Sequence, residues 1–279
     1  MSGAEVSNAD GSNARERIRF DSVSVEFPTA AGPLKVVDDV SFSIAEGEFV
    51  SIVGPSGCGK TTMMNIVAGF VSPNAGTVTL DGAPITGPGP ERGVMFQEYG
   101  VFPWLTVEEN IAFGLKLKAN RRLQPQAKDI VAKYLKLMGL EAFAGAFPKT
   151  LSGGMRQRLA IARAYAVQPE FLLMDEPFGA LDAQTRSNMQ DLLLEVLAAE
   201  GKTVMLITHS VEEAIYLSSR IFVVTARPAR IKEVIEVPFG YPRSEDLHES
   251  PQFNELRSHL RQLVMQEYEA QQKQARAPS

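Results

Sequence analysis

Apolar and polar positions alternate between residues 18 and 44. The apolar positions are Ile18 and Phe20, then Val23, Val25 and Phe27, then Val40, Phe42 and Ile44. Period two predicts strands with one buried face, paired antiparallel, with "AGPL" (31–34) as the turn between them. The pattern then changes. "FVSIVG" (49–54) is an almost unbroken apolar run that stops at glycine, and "KTTMMNIVAGF" after it reads as helix. "GTVTLDG" (76–82) is a short strand ending in a turn, and Pro- and Gly-rich sequence follows to residue 90.

Helical signals take over from about residue 104 to 168. "TVEENIAFGLKLK" opens with Thr106 and carries Glu109 three residues on, the spacing of a capping box. "QAKDIVAKYLKLMGL" closes on a glycine, and "GMRQRLAIARAYAV" is rich in strong helix formers. Apolar runs return at "FLLMDE" (171–176), "TVMLITH" (203–209) and "RIFVVT" (220–225), separated by helices such as "QTRSNMQDLLLEVLAAE". That alternation predicts parallel strands buried on both faces. The expected fold is therefore α/β: a core with a mainly parallel sheet, an N-terminal antiparallel β subdomain, and an α-helical subdomain inserted at about 99–165. Beyond residue 240, Phe253, Leu256, Leu260, Leu263 and Val264 keep helical spacing, so 241–279 should hold an amphipathic helix, with "QQKQARAPS" as a frayed tail. Residues 1–17, small and polar, read as a disordered lead.

Composition narrows the class. The chain has 279 residues, 44% hydrophobic and 22% charged, an ordinary globular balance. A net charge of −5 argues against nucleic acid as the main partner, although a basic stripe could still hide within it. Cys58 is the single cysteine, so no internal disulfide can form and a reducing compartment is expected. No run approaches the roughly 18 apolar residues of a membrane span, and the first residues lack the apolar core of a signal peptide. The expected location is cytoplasmic; any membrane must be supplied by another chain.

"GPSGCGKT" (54–61) fits G-x-x-x-x-G-K-[ST] and lies between an apolar strand and a helix, where the pattern needs to be. It assigns the core to the P-loop NTPase (RecA-like) class. Gly54, Pro55, Ser56, Gly57, Cys58 and Gly59 form a loop whose backbone wraps an anion. Lys60 supplies a charge for the β and γ phosphates, Thr61 offers a hydroxyl to Mg²⁺, and Thr62 continues the motif. "FLLMDEP" puts two carboxylates at the C-terminal end of a buried strand, the ligand end of a parallel sheet. Asp175 there would hold Mg²⁺ through water, and Glu176 would orient or deprotonate the attacking water.

Other candidates have plainer readings beside the functional ones. His209 ends "TVMLITH" and could be a structural hydrogen bonder; Gln97 could be a strand-end amide; Asp182 in "FGALD" could be a helix N-cap. Phe27 could stack on an adenine or pack in the core. Cys58 reads as a small tolerated loop residue. "LSGGMRQR" (151–158) offers Ser152 as an N-cap with Gly153 and Gly154 behind it, a second place where backbone N–H groups face an anion.

The placement of that second site is informative. Gly154 lies 21 residues before Asp175 and well after the phosphate loop. Six motifs in order, "GPSGCGKTT", Gln97, "LSGGMRQR", "FLLMDEP", "FGALD" and His209, make residues 18–240 resemble the ATPase subunits of ABC transporters. The resemblance implies that two copies meet head to tail. Each ATP is then enclosed between one chain's phosphate loop and the other's Ser152, Gly153, Gly154 and Gln157. It further implies that Phe27 stacks on adenine, Gln97 senses Mg²⁺ and the attacking water, Glu176 is the catalytic base, His209 contacts the γ-phosphate, and Asp182 communicates across the dimer.

"EYGVFPWLTVEENIAFGL" gathers Tyr99, Phe102, Pro103 and Trp104, the single tryptophan. This is either local core or an apolar groove that receives a helix from membrane permease subunits. "FQEYGVFPWLTV" with "VVTARPARI" (223–231) is similar to the importer branch for nitrate, sulfonates and taurine, although "ARPAR" alone is equally a basic surface turn. That branch implies a peripheral subunit on the cytoplasmic face of the inner membrane, served indirectly by a periplasmic or lipid-anchored solute-binding protein. A soluble ABC-type ATPase of translation or DNA repair is the alternative. Such proteins carry paired cores or long coiled coils, neither of which this sequence contains.

Overall fold

The computed structural model describes residues 15–30, 32–96, 100–179 and 181–276. Gln97 and Tyr99, both expected at functional positions, lie outside the described residues, as does nearly all of the N-terminal lead.

Strands β1 (Glu16–Thr29) and β2 (Gly32–Ala45) form the predicted antiparallel pair. The alternation is not continuous: between Phe20 and Val23 the register shifts, and Ser22 adopts φ 50°. An inserted residue of this kind flips the following side chains to keep one face buried. The turn is earlier than the expected 31–34, because Gly32 already pairs with Thr29 and Pro33 and Leu34 belong to β2. Gly32 at φ 111° lets the chain reverse so early.

β3 (Phe49–Val53), entirely buried, leads through the phosphate loop into α1 (Lys60–Ala68). β4 (Ala75–Leu80) and the short β5 (Ala83–Pro84) complete a four-stranded antiparallel sheet ordered β2-β1-β4-β5. After β6 (Arg92–Met95) come the helices: α2 (Val107–Phe113), α3 (Ala127–Leu137) and α4 (Gly153–Ala166), with 3₁₀ turns between them. Thr106 and Glu109 form the expected capping box on α2. The chain then returns through β7 (Phe171–Asp175), α5 (Ala183–Glu200), β8 (Thr203–Ile207), α6 (Val211–Leu217), β9 (Arg220–Val224), β10 (Ile231–Glu236) and α7 (Pro251–Arg276).

The second sheet is ordered β10-β9-β3-β8-β7-β6, parallel except for β10. Its strands are buried on both sides, and alternation splits their residues between two cores. Phe49, Leu172, Met174, Val204 and Leu206 face the helical side, while Val50, Ile52, Leu173, Met205 and Ile207 face α1 and the antiparallel sheet. Burying a side chain of this size contributes about 1.5–3 kcal/mol. The central strands are therefore rigid, and the loops at their C-terminal ends are held in place.

Phe253 and Leu260 of α7 are fully buried, as their spacing predicts. The frayed tail expected from Gln271 is corrected: α7 stays helical to Arg276. Apolar spacing stops there, yet polar contacts continue, with Gln271 Nε2 donating to the Ser56 carbonyl at 2.9 Å. Among the described residues no helix is long and apolar enough to cross a membrane.

Candidate active site

Three neighbouring strands, β3, β8 and β7, end at one edge of the sheet. The phosphate loop leaves β3, Thr208 and His209 follow β8, and Asp175 and Glu176 end β7. That edge is where ligands bind in parallel sheets, because helix N-termini and strand-end side chains converge there.

The loop's shape depends on close packing. Gly59 sits at φ 127°, and a Cβ on it would come within 2.8 Å of the Val36 carbonyl. Lys60 starts α1 and is buried, its Nζ donating to the carbonyls of Gly54 and Pro55 at 2.9 Å each. Ser56, Gly57 and Thr61 are exposed at the loop's open side and Thr62 is half-buried. Cys58 points the other way: its thiol is fully buried in the core, and burial raises its pKa. Cys58 therefore offers the anion only its backbone. A pocket of about 300 Å³ is lined by Ser56, Gly57, Lys60, Thr61, Thr62 and Glu176.

Thr61 Oγ1 donates to Asp175 Oδ2 at 3.0 Å. A hydroxyl and a carboxylate side by side next to a phosphate loop are hard oxygen donors of the kind Mg²⁺ takes one or two of, with phosphates and waters filling the rest. Burial raises the Asp175 pKa, the Thr61 hydrogen bond opposes this, and the neighbouring Glu176 charge adds to it. Among the described residues no cluster of three His, Cys, Asp or Glu side chains could hold a metal by itself.

Glu176 has φ 47°, a left-handed backbone that a non-glycine residue adopts at a cost. Its N–H donates to the Ile207 carbonyl at 2.8 Å, tying β7 to β8 beyond the strand end. Its Oε2 lies 3.1 Å from His209 Nδ1. A carboxylate and an imidazole at this distance, both partly exposed, can share a proton and orient a water. Behind them, Thr208 donates to the buried Glu213 at 2.6 Å, and Arg186 Nε of α5 lies 3.7 Å from the same carboxylate. Asp182 accepts from the Thr185 N–H at 3.0 Å, the N-cap geometry of its plainer reading, and that backbone bond holds its pKa below the usual range.

The residues of "LSGGMRQR" are placed elsewhere. Ser152 caps α4, accepting from the Met155 N–H, and stands exposed with Gly153 and Gly154 partly exposed behind it. None of the three lines the phosphate-loop pocket. Gly154 sits tight against α5, where an added Cβ would meet Thr185 at 2.7 Å. Gln157 does not join this surface. It is wholly buried one turn along α4, and neither of its amide atoms has a hydrogen-bond partner among the described residues.

Phe27 is 38% exposed, which removes its core reading and leaves a ring open to a partner. Trp104 is 69% exposed, so it is not local core either. Its ring lies 5.3 Å from Phe102, which stacks beneath the Arg163 guanidinium at 4.0 Å and touches Phe113 at 4.5 Å. Phe113, Phe96, Leu117 and Arg163 line a neighbouring cleft of about 350 Å³ between β6 and the helices. Sequence reasoning missed three lining residues of the phosphate pocket: Leu34, Val36 and Arg227. Arg227 had left a signal, the basic "ARPAR" segment.

A family profile described as ABC transporter matches residues 37–179, just over half of the chain. An ATP-binding protein of Brucella abortus is 51% identical over 246 residues, covering 88% of this chain and 92% of that one. The nitrate import ATP-binding protein NrtD of Synechococcus elongatus is 44% identical over 243 residues, covering 86% and 89%. The aliphatic sulfonates import ATP-binding protein SsuB of Bacillus cereus is 43% identical over 252 residues, covering 90% and 96%. Among solved structures, a dimeric ATP-binding cassette in a post-hydrolysis state with ADP and Pi superposes with a TM-score of 0.68 at 30% identity, covering 80% of this chain and 100% of that one. With a phosphate loop, two strand-end carboxylates and these relatives, the chain is an ATP-hydrolysing subunit and belongs to the ABC transporter ATP-binding family.

Proposed function

We propose that this subunit powers an importer of small anions such as nitrate or sulfonates, closing head to tail with a second copy around two ATP molecules. One spatial observation carries the reading. The chain has two anion-facing sites, and Ser152, Gly153 and Gly154 do not line the pocket that holds the phosphate loop. A bound triphosphate would have donors on its loop side and none from the second site until another chain brings them. The dimeric cassette with ADP and Pi supports the dimer, and the nitrate and sulfonate import proteins support the direction and the substrate class.

In this reading Lys60 and the loop N–H groups hold the β and γ phosphates. Ser152, Gly153 and Gly154 of the partner copy donate from the opposite side. Phe27 stacks on the base, Gln97 contributes at the water, and Asp182 relays across the interface. Thr61 and Asp175 would hold Mg²⁺, which supplies charge neutralisation along the phosphates. Glu176 takes a proton from the attacking water as its oxygen bonds to the γ-phosphorus, and the bond to the β-phosphate oxygen breaks with its electrons leaving on ADP. His209, its Nδ1 3.1 Å from Glu176 Oε2, donates to the γ-phosphate. The cleft by Phe113 and exposed Trp104 receive the permease, which places the subunit peripherally on the cytoplasmic face of the membrane, with a solute-binding protein acting through the permease.

Glu176→Gln tests the chemistry and the dimer together. It should cut turnover by about 10²–10⁴-fold while ATP shifts it to a stable dimer in size-exclusion chromatography. Normal turnover would remove Glu176 from the role, and a variant that binds ATP as a monomer would remove the shared site.

A further inference from the structure

A loop that turns its N–H groups towards an anion turns its carbonyls away, and those carbonyls need donors of their own. Here Lys60 serves Gly54 and Pro55. The next two carbonyls are served from the far end of the chain. Gln271 Nε2 donates to Ser56 O at 2.9 Å, and Arg227 donates to Gly57 O through Nε at 3.0 Å and Nη2 at 2.5 Å. Both side chains lie outside residues 37–179, the stretch matched by the family profile.

The segment carrying Arg227 is not a loose surface turn. Ala229 is hydrogen-bonded in both directions to β2, accepting from Asp38 N at 3.0 Å and donating to Val36 O at 2.8 Å. Arg230 pairs with Asp38. On the other side, Glu267 of α7 accepts from Ala226 N at 2.8 Å and from Lys232 Nζ at 2.7 Å. The turn is fixed between β2 and α7, and it delivers a guanidinium to the wall of the phosphate pocket. Guanidinium has five N–H donors in a rigid fork. Gly57 O engages the Nε–H and one Nη2–H, which leaves Nη1 and the second Nη2–H for another acceptor. Among the described residues Arg227 and Lys60 are the two cations lining that pocket.

We propose that Arg227 is a nucleotide-binding residue of this subunit: it holds the Gly57 carbonyl outward and gives its remaining donors to phosphate oxygens of the bound nucleotide, with Gln271 and Glu267 of α7 keeping it and the loop in register. The proposal rests on nucleotide occupying the phosphate-loop pocket, and Lys60→Ala tests that separately.

Affinities for a fluorescent ATP analogue and for unlabelled ATP and ADP in competition are measured at two salt concentrations, with steady-state ATPase alongside. Arg227→Gln keeps a donor for Gly57 O and loses the charge. It should weaken ATP and ADP by about tenfold, the low end for a charge-assisted contact at an exposed site, and flatten the salt dependence. The KM for ATP should rise in step with the loss of affinity. Arg227→Lys keeps the charge and should retain affinity within about threefold. Gln271→Ala should raise KM in the same direction by a smaller factor. Wild-type affinity and salt slope in Arg227→Gln overturn the proposal. Equal weakening by Gln and Lys with an unchanged salt slope also overturns it, reducing Arg227 to a loop clamp. If Lys60→Ala binds like the wild type, the pocket itself has been misassigned, and that outcome is read independently of the Arg227 variants.

Discussion

Cys58 stands in the middle of the phosphate loop, yet its thiol faces the core beneath Gly54, next to Val224. Burial raises its pKa, with Lys60 pulling weakly the other way, so the thiolate is scarce at neutral pH. Native protein at pH 7–8 should resist alkylation by iodoacetamide and react once unfolded, as read by mass spectrometry; rapid native labelling would mean that the loop opens its inner side. The same residue illustrates what sequence can and cannot say. The motif spacing located the loop, but only packing decides which side of a loop residue faces the ligand. Gln157 makes the point again. It lies inside "LSGGMRQR", but three positions beyond Gly154 the helix has rotated its side chain into the interior. Phe27 went the opposite way, because an alternating strand can end past the edge of the core it covers. Arg227 was visible as a basic turn and no more, since its meaning comes from Gly57, 170 positions away in the chain.

At the level of elements, the strands were legible because burial leaves a strong imprint. "FVSIV", "FLLMD" and "TVMLI" are apolar on both faces, as strands between two cores must be, whereas the bulge after Phe20 was hidden inside the alternation. β10 was not legible: "IKEVIE" is a half-exposed edge strand with little apolar signal. Nor was the helical continuation of α7 beyond its apolar spacing, where Gln271 bonds to the Ser56 carbonyl. α2 shows local and long-range roles in one element. Its capping box, Thr106 with Glu109, fixes where the helix begins, three residues after Trp104, and its last residue Phe113 forms part of the cleft wall. Trp104 is held over Phe102 but covered by nothing among the described residues. In the proposed function this exposed indole beside the cleft receives a short helix from the permease, in the manner of a helix laid in a groove. Trp104→Ala should leave basal ATPase activity of the isolated subunit within about twofold, since no phosphate-loop residue touches it, while co-purification with the permease falls by about tenfold or more, as for a central aromatic anchor. Undiminished co-purification would move the docking site elsewhere.

The whole molecule places its two anion-facing ends on different elements, the phosphate loop after β3 and Ser152 at the start of α4, and only the former lines the nucleotide pocket. In the proposed dimer a single chain lacks one wall of each reaction centre, and C₂ symmetry supplies the missing wall twice over, because an isologous pair buries the same two surfaces in exchange. This arrangement makes a distinctive prediction about mixtures. Ser152→Arg puts a bulky cation on the wall that a chain lends to its partner, and leaves its own Lys60 and phosphate loop intact. Lys60→Ala spoils a chain's own loop and leaves its Ser152 intact. Each variant alone should fail at both sites of its homodimer. In a heterodimer one site combines the intact loop of the Ser152→Arg chain with the intact Ser152 of the Lys60→Ala chain, while the other site collects both defects. An equimolar mixture should then recover up to about a quarter of wild-type ATPase activity, half of the dimers carrying one of two sites. Ser152→Arg should meanwhile bind ATP as tightly as the wild type when monomeric, because its pocket is complete on the loop side. Silence in the mixture, despite proven heterodimer formation, would mean that each chain completes its own centre and that Ser152 is only the cap of a helix.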